Sequence, residues 1–550
     1  EPYRRQRQMC IRDSMNSFIK YICVFCGGIG LLTSTTACTN LDEETFSEIT
    51  ESTYKYEAGD ATKVVGSSYA NLRGFVGFNT YYIQEICTDE TVQPANQAGW
   101  DDGGVFRRMH LHSWNTNQAH VNEYWNCCYT GILLANRAIE IISEDDFPIS
   151  STENKASLIA ETRALRAYYY WLVMDNWGDA PLVSASTSEQ PEKTSRVEIY
   201  KFVVQELTEC MNDLSEQKDA SNYGRFNKWG AKALLANVYL NAEVYTGTPQ
   251  WEACIKECND ILNSGQYQLE SDYLAPFKVY NEGSVENIFV IPFDAVYAQG
   301  FEIYKAILHA ANQATYKLQD SPWGPGSYKA VPQFINTYDP DDERLDMTWI
   351  QGQQYAADGT PLEGSYDMMG KPLVFVNSMP DGIFTGEADG FRLQKYEIQE
   401  ECKTFMNNDF VIFRLAQVYM MKAECLLRTG KADEAAQLVT TVRQRAFRNH
   451  PEKAKVTGND LKQPSKYVYG TVSDYVLTPQ GKSYPEQFGR FYDELGWEFV
   501  GETMRRCDMI RFGHFTKAEW LSHKPNGDFR SLFPIPQEAV SYTHLTLPTI

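Results

Sequence analysis

Two amphipathic segments joined by a turn with room for little more than one glycine set the terms for this chain. Phe410 to Arg428 (FVIFRLAQVYMMKAECLLR) carries apolar residues at helical spacing, Gly430 caps it, and Ala432 to Arg445 follows at once. So short a turn folds the second helix back on the first. Ala423, Gly430, Ala435 and Ala436 supply small side chains where the two must approach closely. The plan recurs upstream. Trp229 to Tyr245 is followed, after Gly247 and Pro249, by Trp251 to Leu262. Glu161 to Trp177 stops at Gly178, and Pro181 forbids its continuation. It pairs with Arg196 to Leu214, and Val64 to Leu72 pairs with Val121 to Ile142.

These pairs resemble tetratricopeptide-type helix pairs. The expected fold is therefore mainly α, a scaffold of about four helix pairs interrupted by long irregular, partly β insertions. Scaffold is expected over 60–265, 409–447 and 489–539. The variable insertion spans 266–408, rich in Gly, Pro, Tyr, Trp and Asp. It has short β-like runs at Asn287 to Phe293, Leu373 to Val376 and Phe391 to Tyr396. A second insertion runs from about Asn449 to Phe488. Long irregular segments on a rigid scaffold are where binding functions sit.

The ends have a different character. Residues 15–37 read as a secretory signal: a short start with Lys20, an apolar run from Tyr21 to Leu32, then small residues up to Ala37. Cys38 follows in the manner of a bacterial lipobox, with Thr35 where Leu is usual, and is the expected lipidation site. The apolar run is shorter than the roughly 20 residues that span a bilayer. Residues 1–14, with Arg4, Arg5, Arg7 and Arg12, and residues 540–550 resemble translated sequencing adapter and are expected to be foreign to the fold. The remaining domain is 38–539.

The formal charge of −22 argues against nucleic acid and anionic lipid surfaces as partners. The 13 Cys form no metal pattern. Cys254 and Cys258 stand one helical turn apart without a nearby His, and most of the others sit in apolar stretches where a thiol packs as a small hydrophobe. No Ser/His/Asp, phosphate-loop or metal motif emerges, and no cofactor is expected. Asp339, Asp341, Asp342 and Glu343 look faintly like a calcium loop, but Arg344 stands where such a loop needs Gly, so a solvated turn is expected.

Several segments together resemble the SusD/RagB family of outer-membrane glycan-binding lipoproteins of Bacteroidetes. They are the lipobox with Leu41 and Asp42, Arg163 to Leu182 (RALRAYYYWLVMDNWGDAPL), Arg225 to Leu240 (RFNKWGAKALLANVYL), Glu286 to Phe293, Arg414 to Arg445, Glu494 to Gly513 (ELGWEFVGETMRRCDMIRFG) and Phe533 to Gln537 (FPIPQ). They follow the family's order from Cys38 to Ala539. Thr503 to Arg506 departs from its usual pattern. Asp42, Glu43 and Glu44 after the Cys resemble a surface-export signal. The resemblance implies a non-catalytic protein, lipid-anchored in the outer membrane. It would capture oligo- or polysaccharide and close as a lid over a TonB-dependent transporter. An all-α glycoside hydrolase with paired carboxylates and a helical-repeat adaptor for another protein are the rival classes. Arg163, Arg166 and Asp175 are expected to form ion pairs on a helix surface. Glu498, Arg505, Asp508 and Arg511 are expected to form one polar helix edge.

A glycan site should combine exposed aromatic rings, on which sugar faces stack, with carboxylate, amide or Arg partners for the hydroxyls. Two loops qualify. Thr88 to Trp114 holds Trp100 beside Gly99, Asp101, Asp102 and the pair Gly103-Gly104. Asp320 to Tyr328 (DSPWGPGSY) holds Trp323 between Pro322 and Gly324. Tyr297, before Gly300, is a third position. The candidate ligand-binding residues are Trp100, Asp101, Asp102, Tyr297, Trp323 and Tyr328.

Overall fold

The helices begin where the sequence offers a cap. In the structure, a computed structural model, Asn154 accepts from the Ser157 N–H to start α3 (Lys155–Trp177). Ser195 accepts from Glu198 to start α4 (Arg196–Cys210), and Asn227 accepts from Trp229 and Gly230 to start α5 (Lys228–Leu240). The structure describes residues 54–76, 78–96, 101–185, 191–326, 328–366 and 368–541. Residues 1–53, which include the expected leader, the expected signal segment and Cys38, lie outside them, as do Trp100 and residues 542–550. Among the described residues, every helix and strand belongs to the unit from Tyr56 on.

All the expected pairs form. α1 (Asp60–Ala70) packs on α2 (Ala119–Ser143), α3 on α4, α5 on α6 (Trp251–Asn263), and α7 (Leu415–Arg428) on α8 (Ala432–Arg443). Contacts of α2 with α3, of α4 with α5 and of α6 with α7 join the pairs into a continuous stack. Gly131 shows how close the approach is. A Cβ there would lie 2.1 Å from the ring of Tyr169, so α3 lays a buried Tyr directly over α2 backbone.

Two segments depart from the reading of the sequence. Phe410–Arg414 is not the first turn of α7 but a strand, β8, antiparallel to β3 (Asn287–Ile291). Its β-branched and aromatic residues suit a buried strand, and the helix starts only at Leu415. The stretch 494–513 is not one helix with one polar edge. It divides into α9 (Gly489–Phe499) and α10 (Arg505–Arg511), with Gly501 between them at φ 74°. Glu498, Arg505 and Asp508 are buried, Arg511 is half-buried, and they face different partners.

Those partners form an ionic core. Arg414 reaches Glu286 at 2.8 Å, Glu498 at 2.9 Å and Glu502 at 2.6 Å. Arg445 reaches Glu286 at 2.5 Å and Glu498 at 2.7 Å. Arg344 reaches Glu498 at 3.1 Å and Glu494 at 2.7 Å. Burial by itself would raise the Glu498 carboxyl, but Arg445, Arg414 and Arg344 outweigh it and hold it well below the usual carboxylate range. Arg505 pairs with Asp89 at 2.7 Å, and Arg511 with Glu424 at 2.7 Å. Arg163 and Arg166 both bind Glu206, and Asp175 binds Arg506 at 3.0 Å. Arg166, Glu206 and Asp175 are buried between helices rather than laid on a helix surface. The charged residues of the family-like segments are thus interior ties between helices and the insertion.

The acidic turn at 339–343 is likewise engaged by the protein's own cations. Lys453 takes Asp339 and Asp341, Arg344 takes Asp342, and Arg448 takes Glu343. Among the described residues the cysteines are free thiols, and Cys254 and Cys258 lie buried with their sulfurs 4.0 Å apart.

The insertion's short strands fall in several small sheets, of which one has four strands. β1 (Thr91–Val92), β4 (Lys329–Ala330), β7 (Arg392–Leu393) and β5 (Trp349–Ile350) lie side by side in that order, all antiparallel. Next to it β2 (Ala95–Asn96) pairs in parallel with β6 (Phe384–Thr385). The loops that hold the candidate site residues leave from these strands and from the end of β3.

Candidate glycan-binding site

Among the described residues Tyr297 is the most exposed large side chain of the candidates, at 91%. It stands on a tight turn after β3. Asp294 Oδ1 accepts from the backbone N–H of Val296 at 2.8 Å and of Tyr297 at 2.7 Å, and residues 294 and 298 close the turn as an antiparallel bridge. Donation from those two N–H groups holds the Asp294 carboxyl below its ordinary value. The base of the turn is tied down where Ala295 N–H donates to Asn407 Oδ1 at 2.9 Å. The ring is therefore displayed on a rigid mount.

Trp323 is half exposed, at 49%. Its backbone N–H donates to Lys305 O at 2.8 Å, and Gly324 O accepts from Ala310 N–H at 2.7 Å. Pro325 O accepts from the buried Arg392. Gly326 makes this approach possible. It sits at φ 72°, and a Cβ there would lie 2.7 Å from Ile307 O and 3.1 Å from Arg392 Nε.

Residues 402–407 connect the two mounts. Cys402 O and Lys403 O accept from Gln319 and Asp320 at the start of the Trp323 loop, while Met406 and Asn407 bond Phe301 and Ala295 on either side of Tyr297.

The remaining candidates fare differently. Trp100 lies outside the described residues. Asp101 pairs with Arg107 at 2.9 Å and shapes its own loop. Asp102 is exposed in a left-handed conformation at φ 44°, followed by Gly103 and Gly104 at positive φ. Tyr328 is corrected by the structure. It is 1% exposed, accepts from the Thr91 hydroxyl at 3.2 Å and packs edge-on to Tyr81, so its ring belongs to the core. Its position one residue before β4 turns it inward.

Two further exposed rings stand nearby that the sequence reading passed over. Phe384, 46% exposed, lies on β6 opposite Ala95, the strand that runs into 97–100. Tyr366, 56% exposed, follows Ser365, whose N–H donates to Glu387 Oε2 at 2.7 Å. The signal for both was available: each is an aromatic flanked within two residues by Gly, the same pattern that singled out Trp323.

Glu387 is where these loops meet. His309 Nδ1 accepts from Ala311 N–H at 3.0 Å, which leaves the proton on Nε2, 3.2 Å from Glu387 Oε2. Burial draws the His309 pKa down to about 4, with Arg392 and Lys329 acting in the same direction, so the imidazole is a neutral donor. Arg392 donates to Glu387 O at 2.7 Å and stacks on Phe375, while Lys329 donates to Thr385 and to Gly386 O. The Trp323 loop, the Tyr366 loop and the Phe384 strand thus share one buried polar joint. Chemically, the exposed part offers aromatic faces with carboxylates nearby.

Comparison with known proteins places this arrangement. Residues 254–539 match the family model described as the SusD family, and residues 41–240 match one described as starch-binding, associating with outer membrane. A SusD-like protein of Formosa agariphila is 23% identical over 539 residues, covering 92% of this chain and 94% of that protein. The starch-binding protein SusD of Bacteroides thetaiotaomicron is 25% identical over 428 residues, covering 68% and 69%. Surface glycan-binding protein A from Bacteroides thetaiotaomicron, solved in complex with laminarihexaose, has the same fold, with a TM-score of 0.65 at 19% identity over 88% of this chain and 97% of that one. The first family model alone spans more than half of the sequence, and the chain belongs to the SusD family.

Proposed function

We propose that this protein is a non-catalytic glycan-capture lipoprotein of the outer-membrane surface. In this reading, Cys38 carries the lipid, 38–539 is the mature domain, and the captured oligo- or polysaccharide passes to a TonB-dependent transporter. The observation that carries it is the display of Tyr297 and Trp323 as exposed rings on mounts tied to the scaffold through 402–407. Rings held in this way present flat faces to sugar C–H surfaces without first having to be ordered. Trp100, Asp101 and Asp102 complete the reading on the neighbouring loop. The laminarihexaose complex of a protein with the same fold supports a glucan or a related glycan as ligand. The non-catalytic reading draws on the ionic core. Arginines hold the Glu286, Glu494 and Glu498 carboxyls below their ordinary values, whereas a general acid needs a carboxyl kept protonated; Glu85 and Glu90, which burial raises instead, are sealed in the core away from the exposed rings.

The test is a glycan array probed with the domain lacking Cys38, followed by incubation of the bound polysaccharides with the purified domain. Binding without release of reducing ends is expected. Sustained hydrolysis, abolished by replacing a carboxylate pair, would replace this reading with that of a hydrolase. Absence of any glycan binding, with tight pairing to a membrane barrel, would replace it with that of a protein adaptor.

A further inference from the structure

One oxygen atom holds two of the exposed rings in place. Glu387 Oε2 accepts from Ser365 N–H at 2.7 Å and from His309 Nε2 at 3.2 Å. Ser365 is the residue before Tyr366. His309 caps the short helical turn Ala310–Asn312, where its Nδ1 accepts from Ala311 N–H. The first N–H of that turn, on Ala310, donates to Gly324 O at 2.7 Å, next to Trp323. The Tyr366 arm and the Trp323 arm, distant in sequence, therefore end on the same carboxylate.

The carboxylate is itself a fixed point. Arg392 donates to Glu387 O at 2.7 Å, Lys329 to Gly386 O at 2.6 Å, and Gly386 N–H to Asp389 Oδ2 at 2.7 Å, so the backbone behind it is held. Glu387, His309, Arg392 and Lys329 are all buried. The Tyr366 arm is closed on itself by bridges between 363 and 372 and between 364 and 369. Gly364 lets it come this close, because a Cβ there would lie 2.8 Å from Glu387 Oε2. Tyr297 is mounted separately, on Asp294 and Asn407.

We infer that Glu387 is a positioning residue for glycan capture: through His309 and Ser365 its carboxylate sets the Trp323 and Tyr366 rings as one pair. The inference rests on the glycan reading above and adds Tyr366 to it. A ring fixed before the sugar arrives does not have to be ordered by the sugar, and the cost of that ordering is not subtracted from the affinity. The oxygen as acceptor does this, not the charge. Both donors are neutral groups, a backbone N–H and an imidazole whose proton sits on Nε2 because Nδ1 accepts. An amide oxygen in the same place accepts from both. A carboxylate one methylene shorter does not reach them.

In the experiment, laminarin, starch, xylan, galactomannan and pectin are each titrated into the unaltered protein by calorimetry, and whichever binds is titrated into the variants. Glu387→Asp keeps the charge but withdraws the oxygen, and should weaken binding about tenfold, as two weakened hydrogen bonds would. Glu387→Gln keeps the reach and should stay within about threefold of the unaltered protein. A role in charge balance alone predicts the reverse order. In a Trp323→Ala background the loss on Glu387→Asp should shrink to about threefold, because only the Tyr366 arm is left to position, whereas in a Tyr297→Ala background it should remain about tenfold. If Glu387→Asp does not fold, hydrogen exchange in the unaltered protein decides. Bound glycan should slow the Ser365 and Ala310 amides, since what positions the rings for the sugar is stabilised by the sugar in turn. Equal affinities of the Asp, Gln and unaltered proteins, weaker binding by Gln than by Asp, or amides indifferent to glycan would overturn the role of Glu387 and leave the glycan reading standing. If none of the polysaccharides binds the unaltered protein, the glycan reading falls, and this inference with it.

Discussion

Arg414 and Glu498 meet across 84 residues of sequence, Nη1 to Oε1 at 2.9 Å, with both side chains fully buried. Arg414 stands at the N-cap of α7 and Glu498 in the last turn of α9, so this pair ties the last helix pair of the scaffold to the C-terminal helices. Glu498→Gln leaves three guanidinium groups facing a neutral amide. Breaking a buried pair in this way typically costs about 3–5 kcal/mol. Urea denaturation should show a loss of that order, and an unchanged midpoint would mean that the network is not holding these elements together.

The display of rings makes a second prediction. Tyr297→Ala and Trp323→Ala should each weaken glycan binding at least about tenfold, or roughly 1.4 kcal/mol, with little change in melting temperature. Tyr328→Ala should do the reverse. Emptying a buried aromatic site costs about 3–5 kcal/mol of stability. Calorimetry and thermal melts on the three variants separate the roles. A large fall in melting temperature for Trp323→Ala would make it a packing residue.

Acid provides the third. His110, His112 and His523 form a buried cluster, with the rings of His112 and His523 4.0 Å apart. Burial draws His110 and His112 down to about 3 and His523 well below its ordinary value. The charged groups acting on His112 are Arg506 and Arg530, both cations that oppose its protonation further. The folded cluster therefore stays neutral, whereas the unfolded chain takes up protons near pH 6.5. Its contribution to stability is complete above pH 6.5 and is lost as pH falls towards 3. Compared with wild type, His523→Phe should gain about 1.4 kcal/mol per pH unit below 6.5. Urea midpoints at pH 7, 5.5 and 4.5 would show this, and a difference that does not vary with pH would refute it.

The lipid anchor is the fourth. Cys38→Ala should leave the protein unlipidated and absent from the outer-membrane fraction. Recovery of the variant in that fraction would show that something else holds it there.

The helix pairs were legible because their information is local: apolar spacing, Gly430 and Gly178 as stops, and small residues at the crossings. Phe410–Arg414 was misread because its apolar run continues without a break into α7, and only its distant partner Asn287–Ile291 makes it a strand. The ionic core was invisible for the same reason. Arg344, Arg414, Arg445 and Glu498 are scattered along the chain, and nothing in their local spacing pairs them. At the candidate site, Gly and Pro neighbours picked out the exposed Trp323 and Tyr297. Tyr328 shared the same loop but stood next to a strand, whose pleat decides which way a ring turns. Phe384 and Tyr366 carry the same local signal, Gly within two residues, but only the Glu387 joint, which brings together residues far apart in sequence, shows that they belong with Trp323.

That joint limits how a new ligand preference can be acquired. Because the Tyr366 arm bonds the Glu387 carboxylate while the Trp323 and Phe384 arms bond Arg392 and Lys329 beside it, a change in the length of one arm is felt at the joint that the other two share. The rings at 323, 366 and 384 lie beyond the joint, toward solvent. On the glycan reading proposed above, a different sugar preference would therefore be acquired by exchanging individual side chains on arms of constant length, while the joint beneath them passes unaltered from one descendant to the next.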